Sequence, residues 1–196
     1  FGVNQATGHI KAYPIGVKAT GPAGKHVRAV RGTTSTNNSF VDNGDGTISD
    51  LATGLMWMKD DSGKGLQWKD ALAYCEDLNY AGYDDWKLPN VKELHSIVKY
   101  SDVYPAIDST YFNMTKLDEN VNYYFWTSTS AYFSKTKPTN AYAWYVAFGY
   151  AVGNDGKDSH GAGAIRFSPK YVGSTATEEG GDNILNSVRA VRKISQ

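Results

Sequence analysis

The strongest constraint on the fold lies in residues 141–151, where side-chain size alternates without a break. Tyr142, Trp144, Val146, Phe148 and Tyr150 fall on one side at period two, and Ala141, Ala143, Tyr145, Ala147 and Gly149 on the other. Large residues on one face and mostly small ones opposite predict a central strand, with a helix or a second sheet lying close on the small side. The aromatic face reads first as buried core and second as a ligand platform, because large apolar faces are usually covered.

Residues 66–98 supply the helices such a strand needs. Trp68, Ala71, Leu72, Cys75 and Leu78 form one apolar stripe of helical period, with Lys69, Asp70, Glu76 and Asp77 on the other face. A second helix opens at Asn90, which precedes Glu93 by three residues in a capping-box arrangement, and Val91, Leu94, Ile97 and Val98 form its buried side. Pro89 cannot continue a helix from upstream, so it separates the two.

The first helix has the form W-x-x-A-x-x-Y-C, and Trp86-Lys87-Leu88-Pro89 leads into the second with Glu93-Leu94 following. Alongside these stand Phe40 to Asp50, Thr53-Gly54-Leu55-Met56-Trp57, Phe125-Trp126-Thr127-Ser128-Thr129, Ala143-Trp144-Tyr145-Val146 and Val188-Arg189-Ala190-Val191-Arg192. As a set, spanning roughly Phe40 to Lys193, they resemble bacterial DUF1566 domains, the group that includes the C-terminal domain of the Legionella collagen-like adhesin. The resemblance implies an α+β, C-type-lectin-like fold, distantly related also to formylglycine-generating enzymes: a twisted, mainly antiparallel sheet with two helices packed on it and long loops at one end. It does not imply one function. Formylglycine-generating enzymes use cysteines for their chemistry, and the only cysteine here, Cys75, lies on the stripe of the first helix as a small core hydrophobe. C-type lectins hold sugar through calcium with E-P-N, Q-P-D and W-N-D motifs; Leu88-Pro89-Asn90 and Lys137-Pro138-Thr139-Asn140 lack the carboxylate.

Composition narrows the function classes. The 196 residues suffice for one domain with a substantial core, or one domain plus an appendage. Twenty basic and 20 acidic residues cancel, so no global field draws the chain to nucleic acid or an acidic membrane. No apolar run is long enough to span a bilayer, so membrane insertion is not expected. The chain begins at Phe1 and reads as an excised or processed piece. Fourteen Tyr, 5 Trp and 20 Gly, with many Asn, Ser and Thr, match the composition of loop-rich binding surfaces, where Tyr gives contact area at low entropic cost.

Residues 1–32 echo the end of the chain in order. Phe1-Gly2-Val3, Gly8-His9-Ile10-Lys11-Ala12-Tyr13-Pro14 and His26-Val27-Arg28-Ala29-Val30-Arg31 correspond to Phe148-Gly149-Tyr150, Gly163-Ala164-Ile165-Arg166-Phe167-Ser168-Pro169 and Ser187-Val188-Arg189-Ala190-Val191-Arg192. The expected organisation is therefore a hairpin over 1–32 resembling the end of a preceding module copy and docked on the main domain, a polar linker over 33–39, and a ligand-binding domain over 40–196. Asp42-Asn43-Gly44-Asp45-Gly46 reads as a tight hairpin turn. A calcium loop in that register would place Val41 and Ala52 where carboxylates are required.

Function is expected in the loops 101–122, 131–140, 153–163 and 170–184, displayed on a rigid scaffold. By loop position and residue type the candidate ligand-binding residues are Asp102, Tyr104, Tyr132, Lys135, Asn154, Asp155, Asp158, His160 and Arg166. A calcium site, if one exists, draws on Asp155, Asp158, Glu178, Glu179 and Asp182, because those loops cluster oxygen ligands with backbone freedom. Arg189 and Arg192, three apart on a strand, point to opposite faces, so at most one joins a basic patch with Arg166. The expected core comprises Trp57, Trp68, Trp86, Leu94, Trp126, Trp144, Val146 and Val188. None of the four histidines sits in an H-E-x-x-H or beside a nucleophile motif, and His95 reads as a structural residue of the second helix. The pattern points to a non-catalytic module of a secreted or surface adhesin that recognises a host or neighbouring-cell glycan, glycosaminoglycan or short peptide. A tandem-repeat or homo-oligomerisation domain is the alternative, and an enzyme has no supporting motif.

Overall fold

Of the alternating run 141–151, Tyr142–Ala147 becomes an interior strand of a sheet, buried on both faces. In a computed structural model of the chain, the described residues are 2–5, 9–11, 17–18, 21–22, 26–32, 38–117, 122–131, 141–153, 156–171 and 184–194. In chain order the elements are β1 (Gly2–Val3), β2 (Ile10–Lys11), β3 (Val17–Lys18), β4 (Gly21–Pro22), β5 (Phe40–Asp42), β6 (Thr47–Asp50), β7 (Leu55–Met58), α1 (Trp68–Glu76), α2 (Val91–His95), β8 (Tyr124–Ser130), β9 (Tyr142–Ala147), β10 (Ala164–Pro169) and β11 (Val191–Lys193). The class is α+β and every ladder between named strands is antiparallel.

The expected single sheet is in fact divided. One sheet has the order β1-β2-β10-β9-β8 and a second the order β11-β7-β6-β5, with β3 and β4 pairing separately. The segment before β11 stitches the two large sheets together. Ser187 N–H donates to the Tyr124 carbonyl and Trp126 N–H to the Ser187 carbonyl, while Met58 N–H donates to the Ala190 carbonyl and Ser62 N–H to the Val188 carbonyl. This seam uses pairings between residues far apart in sequence, which local periodicity does not encode.

Two apolar clusters follow from the alternation of β9. Tyr142, Trp144, Val146 and Phe148 join Trp57, Leu94, Phe112 and Phe125 in one; Ala143, Tyr145 and Ala147 join Ala71, Cys75, Trp86, Trp126 and Val188 in the other. The small face of β9 is thus the side against which α1 lies, and α2 takes the large face through Leu94. Of the eight residues expected in the core, Trp68 alone is only partly buried; its indole N–H donates to the Thr127 carbonyl at 2.8 Å. The regular strand is shorter than the alternating run. Phe148 and Gly149 turn their N–H groups to the carbonyls of Tyr123 and Asn122, so β9 ends at Ala147.

Local chemistry sets the ends of the helices and turns. Asn90 Oδ1 accepts from the N–H groups of Lys92 and Glu93 at 2.9 Å each, and Glu93 reaches back to the Asn90 N–H at 2.8 Å, completing the capping box. Glu93 also pairs with Lys87 at 2.7 Å, which ties the W-K-L-P string to the helix it introduces. In the β5–β6 turn, Asp42 accepts from Gly44 N–H and Asp45 from Thr47 N–H, side chain to backbone two residues on. Gly44 and Gly46 hold φ of +77° and +88° there, conformations an L side chain resists.

The arginines correct the expected basic patch. Arg189, 1% exposed, donates to the carbonyls of Met58, Lys59 and Asn113 and lies against the rings of Phe112 and Phe125. Arg192, 4% exposed, pairs with Asp85 and stacks 3.8 Å from the Tyr83 ring. They do point to opposite sides, and both are interior: one guanidinium is held by backbone carbonyls and the other by the Asp85 carboxylate.

Candidate functional site

Antiparallel neighbours place successive connections at alternate ends of a sheet. At one end of β8–β9–β10 stand Tyr124, Ala147 and Ala164; at the other stand Ser130, Tyr142 and Pro169. The expectation of long loops at one end is therefore corrected. Residues 100–117, 148–153 and 156–163 gather at the Ala147 end, where Ala106 N–H donates to the Phe148 carbonyl at 2.7 Å. Ala131, Ala141 and Lys170, which border the loops 131–140 and 170–184, lie at the Pro169 end, with Lys170 N–H on the Ala141 carbonyl at 2.7 Å.

At the Ala147 end two candidate residues meet. The Tyr104 phenol donates to Asp158 Oδ2 at 2.6 Å, and its ring packs 4.3 Å from that of Tyr150. Asp158 Oδ1 accepts from the N–H groups of Ala151 and Gly161 at 3.0 Å each, so this carboxylate organises its own loop and anchors the neighbouring one. The hydrogen bond to Asp158, then burial, pushes the Tyr104 phenol up to about 12. Tyr104 adopts φ of +55°, unusual for an aromatic residue, and the phenol and ring contacts hold it there.

Beside it, the Tyr100 hydroxyl lies 2.7 Å from His95 Nε2, and burial lowers the His95 pKa, favouring the neutral ring. A Cβ at Gly163 would stand 2.7 Å from the Tyr100 ring, so the glycine lets the ring lie on the backbone. Asp102 pairs with Lys99 at 3.0 Å, and Lys99 also reaches Asp108 at 3.3 Å. The outer surface that results carries Tyr100 at 49%, Val103 at 65% and Tyr104 at 41% exposure, beside the Lys99–Asp102 pair.

Of the other candidates, His160 and Arg166 are among the described residues. His160 is half-buried, its N–H on the Ala151 carbonyl. Arg166 is 1% exposed and donates to the Val152 carbonyl, an interior strut rather than a surface cation. Tyr132, Lys135, Asn154, Asp155, Glu178, Glu179 and Asp182 lie outside the described residues. Among the described residues no group of three His, Cys, Asp or Glu is placed to hold a metal ion. Sequence reasoning missed Tyr100 as a surface residue and Tyr150 as the ring packed against Tyr104. In sequence Tyr150 falls on the strand's large face, but the regular strand ends at Ala147. At the Pro169 end Lys170 Nζ sits 3.9 Å above the Trp68 ring and donates to Ser130 Oγ at 2.7 Å, and burial lowers its pKa.

A family model, the Lcl C-terminal domain, matches residues 46–167. The chain belongs to the Lcl C-terminal domain family. The match runs from the β5–β6 turn to β10, so it takes in both helices, the W-K-L-P string and the tyrosine cluster. It is the family of the collagen-like adhesin domain that the sequence motifs resemble. No curated protein and no solved structure matches the chain. Among the described residues of this Lcl C-terminal domain no helix is long and apolar enough to cross a membrane.

Proposed function

We propose that this Lcl C-terminal domain is a non-catalytic recognition module of an extracellular or surface-attached adhesin, and that it binds a glycan or short peptide at the Ala147 end of β9. The observation that carries the reading is the exposed tyrosine surface, Tyr100 and Tyr104 with Val103, held in place by Asp158, Tyr150 and His95. Aromatic rings fixed by buried or paired neighbours lose little entropy on binding and stack on the apolar faces of sugars or side chains. The adjoining Lys99–Asp102 pair supplies hydrogen-bond donors and acceptors of both signs. Arg166, Arg189 and Arg192 are buried, and Lys99, the cation at this surface, is paired with Asp102 and Asp108, so uncharged sugars and peptides fit it better than a sulfated polyanion.

An array of immobilised glycans and peptides tests this with the wild-type chain and a Tyr100→Ser/Tyr104→Ser variant whose circular dichroism is native. The wild type should bind a subset of features, and the variant should lose at least tenfold of that signal. Equal binding by both would place recognition elsewhere.

A further inference from the structure

The outer edge of β10 is occupied by the part of the chain that repeats β10 itself. Residues 8–14 echo residues 163–169, with Ile10 in the place of Ile165. In the structure β2 lies antiparallel against β10, and the residue opposite Ile165 is Ile10. Two strands of like sequence paired antiparallel at their equivalent residue are related by a local two-fold axis perpendicular to the sheet. Such an axis puts the two strands' side chains on the same face, and Ile10 does pack against the apolar cluster that contains Ile165. His9 completes the seat, 4% exposed, edge-on to Trp144 and Phe167 at 5.1 and 5.3 Å.

Under that cover the strand carries no outward charge of its own. All six residues of β10 are buried, and its one charged side chain, Arg166, is turned inward to the Val152 carbonyl. An edge strand without outward charge, bulge or interior proline is a template for another strand, and natural sheets cover such edges.

We propose that the β10 edge is a self-complementary docking edge whose occupant, once residues 9–11 are displaced, is β10 of a second copy of this chain, paired antiparallel with Ile165 opposite Ile165. The N-terminal strand is then a resident copy of the partner, and its docking keeps the chain monomeric. An isologous contact of this kind closes on itself and yields a dimer, not a fibre.

The test uses the full chain. Ile10→Pro removes the strand N–H and breaks the resident pairing. Light scattering should then show the mass doubling from 21.5 kDa, while the wild type stays monomeric. With Cys75→Ala to remove the only native thiol, Ile165→Cys should form a disulfide-linked dimer under mild oxidation in the Ile10→Pro background and stay reduced when Ile10 is intact. Ile10→Asp keeps the N–H and undocks the strand by desolvation, and it reports the same way if the proline variant loses native circular dichroism. A folded variant that stays monomeric, or a dimer in which the two introduced thiols do not cross-link, overturns the proposal.

Discussion

Replacing Arg189 with methionine should destabilise the domain by about 3 kcal/mol, although it removes a buried charge. Burial pulls the guanidinium down to about 10, still protonated at neutral pH, so the buried charge is held at a desolvation cost. Against this stand hydrogen bonds to the carbonyls of Met58, Lys59 and Asn113, each worth about 1.5–3 kcal/mol with a charged donor, so together about 5–9 kcal/mol. Removing one partner of a buried, hydrogen-bonded charge costs about 3–5 kcal/mol net, and the low end applies because the Lys59 carbonyl keeps a second donor, the Asn113 N–H at 3.0 Å. At about 2–4 °C per kcal/mol for a chain of this size, Tm should fall by about 6–12 °C. Arg189→Lys should fall nearly as far, since one ammonium on a single stem does not span three carbonyls in a fixed fork. Thermal unfolding followed by circular dichroism, with urea titration as a second measure, reads both variants. A methionine variant as stable as the wild type would refute the reasoning and put this arginine with buried ions that apolar residues replace at no loss.

Two further predictions concern the helix start and the tyrosine cluster. Asn90→Ala should cost about 1 kcal/mol by urea titration, and Asn90→Asp almost nothing, because the cap needs only the oxygen that serves Lys92 and Glu93; equal losses would show the capping box is not what orders α2. Tyr104 is raised by Asp158, so its contribution to stability is complete below the ordinary tyrosine value of 10 and is lost as pH rises through about 12. Its exposure keeps that contribution under about 1 kcal/mol. In an ultraviolet titration the difference between wild type and Tyr104→Phe should be one phenol ionising near 12, and Asp158→Asn should bring that phenol back towards 10; a difference curve centred near 10 would break the link.

Much of the framework was legible because it is written in local periods. The alternation of 141–151 gave a strand covered on both faces, the stripe from Trp68 to Cys75 gave α1, and Asn90 with Glu93 gave the start of α2. Register, unlike depth, is a property of spacing. Arg189 and Arg192 were correctly set on opposite sides, yet nothing in their spacing says that carbonyls from Met58 and Asn113, or the carboxylate of Asp85, converge on them. The division into two sheets was hidden for the same reason, since it depends on Val191 pairing with Trp57. The placement of the strand ends follows from the alternation of antiparallel strands, which sets Ala131 and Ala141 at one end and Phe148 and Gly163 at the other. At the site, Asp158 and Tyr104 were picked by residue type and do meet, but Asp158 spends its oxygens on Tyr104, Ala151 and Gly161. From sequence Arg166 reads as a surface cation, because a lone arginine on a strand looks the same whether its carbonyl partner is present or not.

Hydrogen exchange, read by mass spectrometry on the wild-type chain with and without the strongest array ligand, is the direct test of where recognition occurs. Recognition at the tyrosine surface predicts slowed exchange in residues 99–106 and 150–163, around Tyr100, Tyr104 and Asp158, with no change around Trp68, Ser130 and Lys170. Protection confined to the Trp68–Lys170 end would contradict it.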